Sequence, residues 1–244
     1  MLFGVKSSNL SVLSVLSIVA VSLASVESRA WDERDEIVGG PRTELLGVEN
    51  FEEMRSEMAT MESSLPSIGE INEGLDGLNV AIDQIINMGK KLWTVVTNNK
   101  PSVNIKLDTG NALPAGVPNW MVLTGWKTPK AFVYRTTYVN GFGVNVVDFA
   151  YRVTYTYGGS VNGKGQYLTQ ATIVPANLEV AWGYTFNAEA SIPMVTNAGT
   201  SAYPVAGMQM EMHWTVETPL KHAQSRDAYY IRGDGEFVNL SAGH

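Results

Sequence analysis

Chemistry in this sequence would have to come from a few carboxylates and one histidine. Glu179 and Glu189 lie in one alternating stretch, and Glu211, His213 and Glu217 in another. Even spacing puts each set on one face of an extended strand. Residues grouped this way could form an acid/base pair or an ion site, or cross-strand ion pairs on a hydrated face. Asp148 and Arg152 also share a face, about 13 Å apart at strand rise. The chain has no Cys, which removes disulfides, thiolate nucleophiles, Cys-ligated zinc and a lipid-anchoring cysteine. Its three His residues, His213, His222 and His244, share no metal-binding spacing. Gly158-Gly159-Ser160 and Gly163-Lys164-Gly165 are glycine-rich, but they fall in an expected hairpin rather than before a helix, so no phosphate cradle is expected. No nucleophile elbow, Walker loop or dinucleotide fingerprint occurs. The chain is therefore not expected to be an enzyme, and no catalytic residue, metal or cofactor is expected.

The 244 residues carry 17 Lys+Arg and 24 Asp+Glu, a formal net charge of -7. That balance, with no basic stripe, excludes a nucleic-acid partner. The first thirty residues read as a secretory signal peptide. Lys6 is a thin basic start, Leu10 to Ala24 is uncharged and apolar, and Ser28-Arg29-Ala30 places small residues for cleavage before Trp31. The competing reading is an N-terminal membrane anchor. Export without cysteines suits a Gram-negative envelope, hence an outer-membrane location, or alternatively a periplasmic or secreted one.

Beyond residue 30 the chain divides. Residues 31–100 hold 6 basic and 14 acidic side chains, whereas residues 101–244 hold 9 of each. Of 23 aromatic residues, 19 lie after residue 100. The expected domains are a signal peptide (1–30), an acidic helical segment (31–100) and an antiparallel β domain (101–244). The helical expectation rests on Leu45, Val48, Phe51, Met54, Met58 and Met61, then Ile71, Leu75, Leu78, Ile82, Ile85 and Trp93, at mostly three- and four-residue steps.

Strict alternation marks the β domain. Residues 144–157 set Val147, Phe149, Tyr151, Val153, Tyr155 and Tyr157 against polar neighbours. Residues 177–191 do the same with Leu178, Val180, Trp182, Tyr184 and Phe186, and residues 207–218 with Met208, Met210, Met212, Trp214 and Val216. Phe132, Tyr134 and Tyr138 mark a fourth strand, and weaker ones are expected near 102–107, 119–126, 164–174 and 226–233. The result is mainly β, with about eight long antiparallel strands. Strands of 12–15 residues span about 40–50 Å, enough to cross a bilayer, where about 9–11 tilted residues suffice. One apolar face and one polar face suit a membrane-type sheet. A soluble β-sandwich alternates in the same way and stays open as the alternative.

In the membrane reading the lipid-facing residues are Phe149, Tyr151, Val153, Tyr155, Leu178, Val180, Trp182, Tyr184, Phe186, Met208, Met210, Met212 and Trp214. The helical segment and the long uncharged loop 191–206 do not suit a simple barrel, so the sheet would be completed by further copies of the chain. The expected partners are then membrane lipid and the chain itself, as a homo-oligomer. In the sandwich reading the protein binds a ligand or partner, such as a glycan.

Several segments also carry a family resemblance. They are residues 85–93 with Asn99-Lys100-Pro101, then residues 112–117, Gly125-Trp126-Lys127 and residues 155–159. Residues 173–178, Trp182-Gly183-Tyr184, residues 204–208 and His213-Trp214-Thr215 complete the set. Together they cover about residues 80–235 and resemble the PopA-like superfamily of porin-like, lipid-trapping bacterial outer-membrane proteins. The resemblance implies a ring-shaped homo-oligomer that walls off lipid rather than an aqueous pore. It supplies no catalytic residue.

Overall fold

Alternating aromatic and β-branched residues, opposed by Thr, Asn, Arg and Glu, produce strands that pair in two antiparallel sheets. The computed structural model describes residues 30–50, 78–98 and 107–241. The strands are β1 (Arg42–Asn50), β2 (Ala81–Met88), β3 (Lys91–Asn98), β4 (Gly110–Ala115), β5 (Lys130–Val139) and β6 (Asn145–Val161). They continue with β7 (Lys164–Val180), β8 (Thr185–Asn197), β9 (Ala206–Glu217), β10 (His222–Arg232) and β11 (Phe237–Asn239). One sheet has the order β1-β5-β6-β7-β4-β2, and the other β11-β10-β9-β8-β3. Among the described residues neither closes into a barrel. Short 3-10 turns at Glu33–Asp35 and Trp120–Val122 are the helical elements among the described residues.

The inner faces of the two sheets meet, as in a sandwich. Phe149 on β6 lies 5.0 Å from Phe186 on β8, centroid to centroid, and Tyr134 on β5 lies 4.9 Å from Tyr229 on β10. Trp214 on β9 donates its indole N–H to Tyr138 Oη on β5 at 2.9 Å. The β6–β7 hairpin turns on Asn162-Gly163, at φ 50° and 75°. Positive φ at both positions matches the twist of the flanking strands, and Asn-Gly meets that need at least strain.

The expected acidic helical segment is corrected wherever it is described. Residues 42–50, 81–88 and 91–98 are strands. Bulges explain the misreading. Leu45 pairs with Tyr134 and Gly47 with Val133, so Leu46 is an inserted residue. Leu45 and Val48 therefore oppose Tyr134 and Phe132, which share a face. A bulge turns the two-residue strand period into a three-residue step and so imitates a helix. The register also slips between Ala81 and Ile85 in β2 and between Lys91 and Trp93 in β3. Residues 51–77, which carry the rest of the helical pattern, lie outside the described residues, as do the signal peptide at 1–29 and most of the strand expected at 102–107.

These early strands belong to the same body as the late ones. Residues from Asp32 onward form one unit, in which β1 and β2 edge the first sheet and β3 edges the second. Two further expectations change. Residues 119–126 form a 3-10 turn and extended loop rather than a strand. The single strand expected over 177–191 is two, because the chain leaves β7 at Val180 and enters β8 in the other sheet at Thr185. Gly183, at φ 90°, permits that passage.

Candidate functional site

The outer face of the second sheet collects polar side chains in regular cross-strand rows. Thr94 of β3 pairs with Glu189 of β8, Glu189 with His213 of β9, and His213 with Arg226 of β10. In the next row Asn187, Thr215 and Gln224 are partners, followed by Thr185, Glu217 and His222. Strand spacing of about 4.8 Å and a same-face repeat of about 6.7 Å make this a lattice of donors and acceptors. Alternation forces the arrangement, because the intervening residues Ala188, Ala190, Met212, Trp214 and Val216 are spent on the core.

Local hydrogen bonds hold these side chains. His213 Nε2 lies 2.8 Å from Glu211 Oε2, and Gln209 Nε2 donates to Glu211 Oε1 at 2.6 Å. Burial alone would raise the Glu211 carboxyl. The hydrogen bonds from His213 and Gln209, with the charges of Arg226 and His213, outweigh it and hold the group below its ordinary value. Asn187 Nδ2 donates to Thr215 Oγ1 at 3.2 Å and to Glu217 Oε1 at 3.4 Å. Lys91 Nζ reaches Glu189 Oε2 at 3.5 Å. Between Thr94, Asn187, Glu189, His213, Thr215 and Gln224 lies an open depression of about 160 Å³. It is smaller than a drug-sized pocket of about 300–1,000 Å³.

An aromatic side chain borders the same face. Tyr230 Oη lies 3.2 Å from Thr196 Oγ1, so the ring reaches across β9 to β8. It does so over Gly207, where a Cβ would collide with the Tyr230 ring and hydroxyl and with Thr196 Oγ1. The glycine is what lets the hydroxyl end of the ring cross β9.

No family model, curated protein or solved structure matches the chain.

Of the carboxylates singled out from sequence, Glu189, Glu211 and Glu217 join His213 on this face, whereas Glu179 sits on β7 in the other sheet. Asp148 and Arg152 do not pair with each other. Arg135 forms a two-point ion pair with Asp148, and Arg152 binds Glu49 at 2.8 Å. Among the described residues no group of three or more His, Asp or Glu could hold a metal.

The expected lipid-facing set is redistributed. Phe149, Tyr151, Val153, Tyr155, Tyr184, Phe186, Met208, Met210, Met212 and Trp214 are buried. Leu178 and Val180 are half-buried near the end of β7. Trp182 alone of the set is well exposed, at 72%, in the turn between the sheets. The alternation was correctly located, but the opposing sheet covers the apolar face.

Sequence reasoning missed Thr94, Gln224, Arg226 and Tyr230. The last three do alternate in the sequence, on a strand expected only from residue 226. Thr94 falls within the segment expected to be helical.

Burial also singles out a polar cluster inside the sandwich. Tyr151 Oη donates to Asp227 Oδ2 at 2.6 Å and lies 2.7 Å from Tyr229 Oη. Burial raises the Asp227 carboxyl against the lowering effect of hydrogen bonds from Tyr151, Thr43 and Ser241. The Tyr151 and Tyr229 hydroxyls are pushed well above the ordinary phenol value, chiefly by burial. Enclosed on both sides, this cluster is a structural network rather than a surface that can receive a ligand.

Proposed function

We propose that the protein is an exported β-sandwich that binds a hydroxyl-rich ligand of the glycan class on the outer face of β3, β8, β9 and β10. The observation that carries this reading is the row Thr94–Glu189–His213–Arg226, with the depression beside it and Asn187 and Gln224 at its rim. Carboxylates, amides and a guanidinium at strand spacing can each serve neighbouring hydroxyls. Tyr230 offers its ring to the apolar side of a sugar ring. The thirty-residue leader pattern supports export.

A competing reading is the porin-like outer-membrane ring that contacts or encloses lipid. Trp182, exposed at the turn between the sheets, favours it, because an amphipathic ring is at home at a bilayer interface. Contact would then be made through that turn, not along the strands.

Binding of the mature chain to a panel of neutral and charged oligosaccharides, measured by calorimetry, tests the first reading. Asn187→Ala and Glu189→Ala should each weaken the best ligand by about 0.5–1.5 kcal/mol, or roughly twofold to twelvefold in Kd. Trp182→Ala should leave Kd unchanged. Flotation with phospholipid vesicles, lost in Trp182→Ala and with no oligosaccharide bound, would replace the glycan reading with the lipid one.

A further inference from the structure

We propose that the edge of β1 left unpaired among the described residues is a dimerisation edge, on which β1 of a second copy pairs antiparallel about a two-fold axis. The proposal is independent of the ligand-binding face, which lies on the other sheet.

β1 ends the strand order of the first sheet. Its Leu45, Leu46 and Val48 are 52%, 53% and 51% exposed. Edge strands are ordinarily blunted by charges, bulges, Lys or Pro; β1 has a bulge at Leu46 and the charges of Arg42, Glu44 and Glu49, but neither Lys nor Pro. Its sequence, RTELLGVEN, is instead complementary to its own reversal. With the axis between Leu45 and Leu46, Arg42 faces Glu49 of the second copy, Thr43 faces Val48, and Glu44 faces Gly47.

The existing register shows that these pairs share faces. Thr43 and Val48 oppose Thr136 and Phe132 on the inner face of β5. Arg42, Glu44, Gly47 and Glu49 oppose Thr137, Arg135, Val133 and Ala131 on the outer face. The bulge at Leu46 makes this possible, because it changes the parity of the strand at the axis. A slip of one residue sets inner side chains against outer ones at the pairs flanking the axis, and a slip of two that keeps the faces matched sets Glu44 against Glu49. Charge and parity therefore select one register. Glu49 already receives Arg152 at 2.8 Å, and a carboxylate has lone pairs for a second guanidinium. A two-fold contact of this kind is closed, so it ends at a dimer and does not build a ring or a filament.

Sedimentation velocity of the mature chain across a concentration series tests the proposal, together with amide exchange over residues 42–49. The wild type should show a concentration-dependent dimer, and exchange in β1 should slow as dimer forms. Arg42→Glu and, separately, Leu46→Lys should each weaken dimerisation at least tenfold, while circular dichroism shows the fold retained. Arg42→Glu combined with Glu49→Arg should recover dimer relative to Arg42→Glu alone. A monomer up to the solubility limit would overturn the proposal. So would a dimer indifferent to both single variants, or a ring-sized assembly.

Discussion

Trp214→Ala should cost about 3–5 kcal/mol of folding stability, whereas Trp182→Ala should change it by less than about 0.5 kcal/mol. Both tryptophans occupy apolar positions of alternating segments, and neither segment says which solvent its apolar face will meet. Trp214 is 1% exposed, on the inner face of β9, and its indole bonds Tyr138. Removing it empties a large volume between two sheets that cannot collapse independently. Tyr138 keeps a second partner in Ser225 at 2.9 Å, so the loss comes mostly from packing. At about 2–4 °C per kcal/mol for a chain of this size, Tm should fall by roughly 6–20 °C. Urea denaturation in detergent-free buffer measures both variants. Equal, small effects would mean that the apolar face of β9 is not a sandwich core, and the membrane-type sheet would regain its case.

Tyr151→Phe should be the next most costly change, at about 1.5–3 kcal/mol near neutral pH. It removes the hydroxyl that donates to Asp227 and touches Tyr229, leaving a buried carboxylate short of a partner. The pH dependence identifies the cause. The native pKa of Asp227 is raised above its ordinary 3.8, so the folded protein holds that proton more tightly than the unfolded chain. Its contribution is most favourable below the unfolded value. It declines as pH rises from there through the raised native value, and is level above it. Asp227→Asn keeps an acceptor for Tyr151 without the charge, so this decline should vanish and stability at pH 7 should not fall. In Tyr151→Phe the decline should steepen, because the carboxyl pKa rises further once its donor is gone. Denaturation series for the three proteins between pH 3 and 7 decide it. A parallel decline in Asp227→Asn would assign the effect to another group.

The sequence made the regular strands visible and concealed the irregular ones. β5, β6 and β9 are legible because one face of each is continuously apolar and the other polar. β1, β2 and β3 are not, because bulges at Leu46, between Ala81 and Ile85, and near Leu92 break the two-residue period. The segment around Trp182 misled in the opposite way, since its alternation runs unbroken through a change of sheet. Whether a Met or Phe faces acyl chains or another sheet is not encoded in alternation. The candidate site was half legible. Glu189, Glu211, His213 and Glu217 could be assigned to polar faces, but bringing Thr94 and Arg226 into the same row requires the pairing of four strands.

The placement of β1 and β3 has a kinetic consequence. β1 is received by β5, with Thr43 bonding Thr136 across 93 intervening steps of chain, and β3 is received by β8. Loops of that length are closed only after shorter-range hairpins such as β6–β7 have formed. As the N-terminus emerges first, β1 and β3 leave the ribosome before the strands that will receive them. The chain is thus built to stay open until its second half is made, and pulsed hydrogen exchange during refolding should find β1 and β3 among the last segments to gain protection.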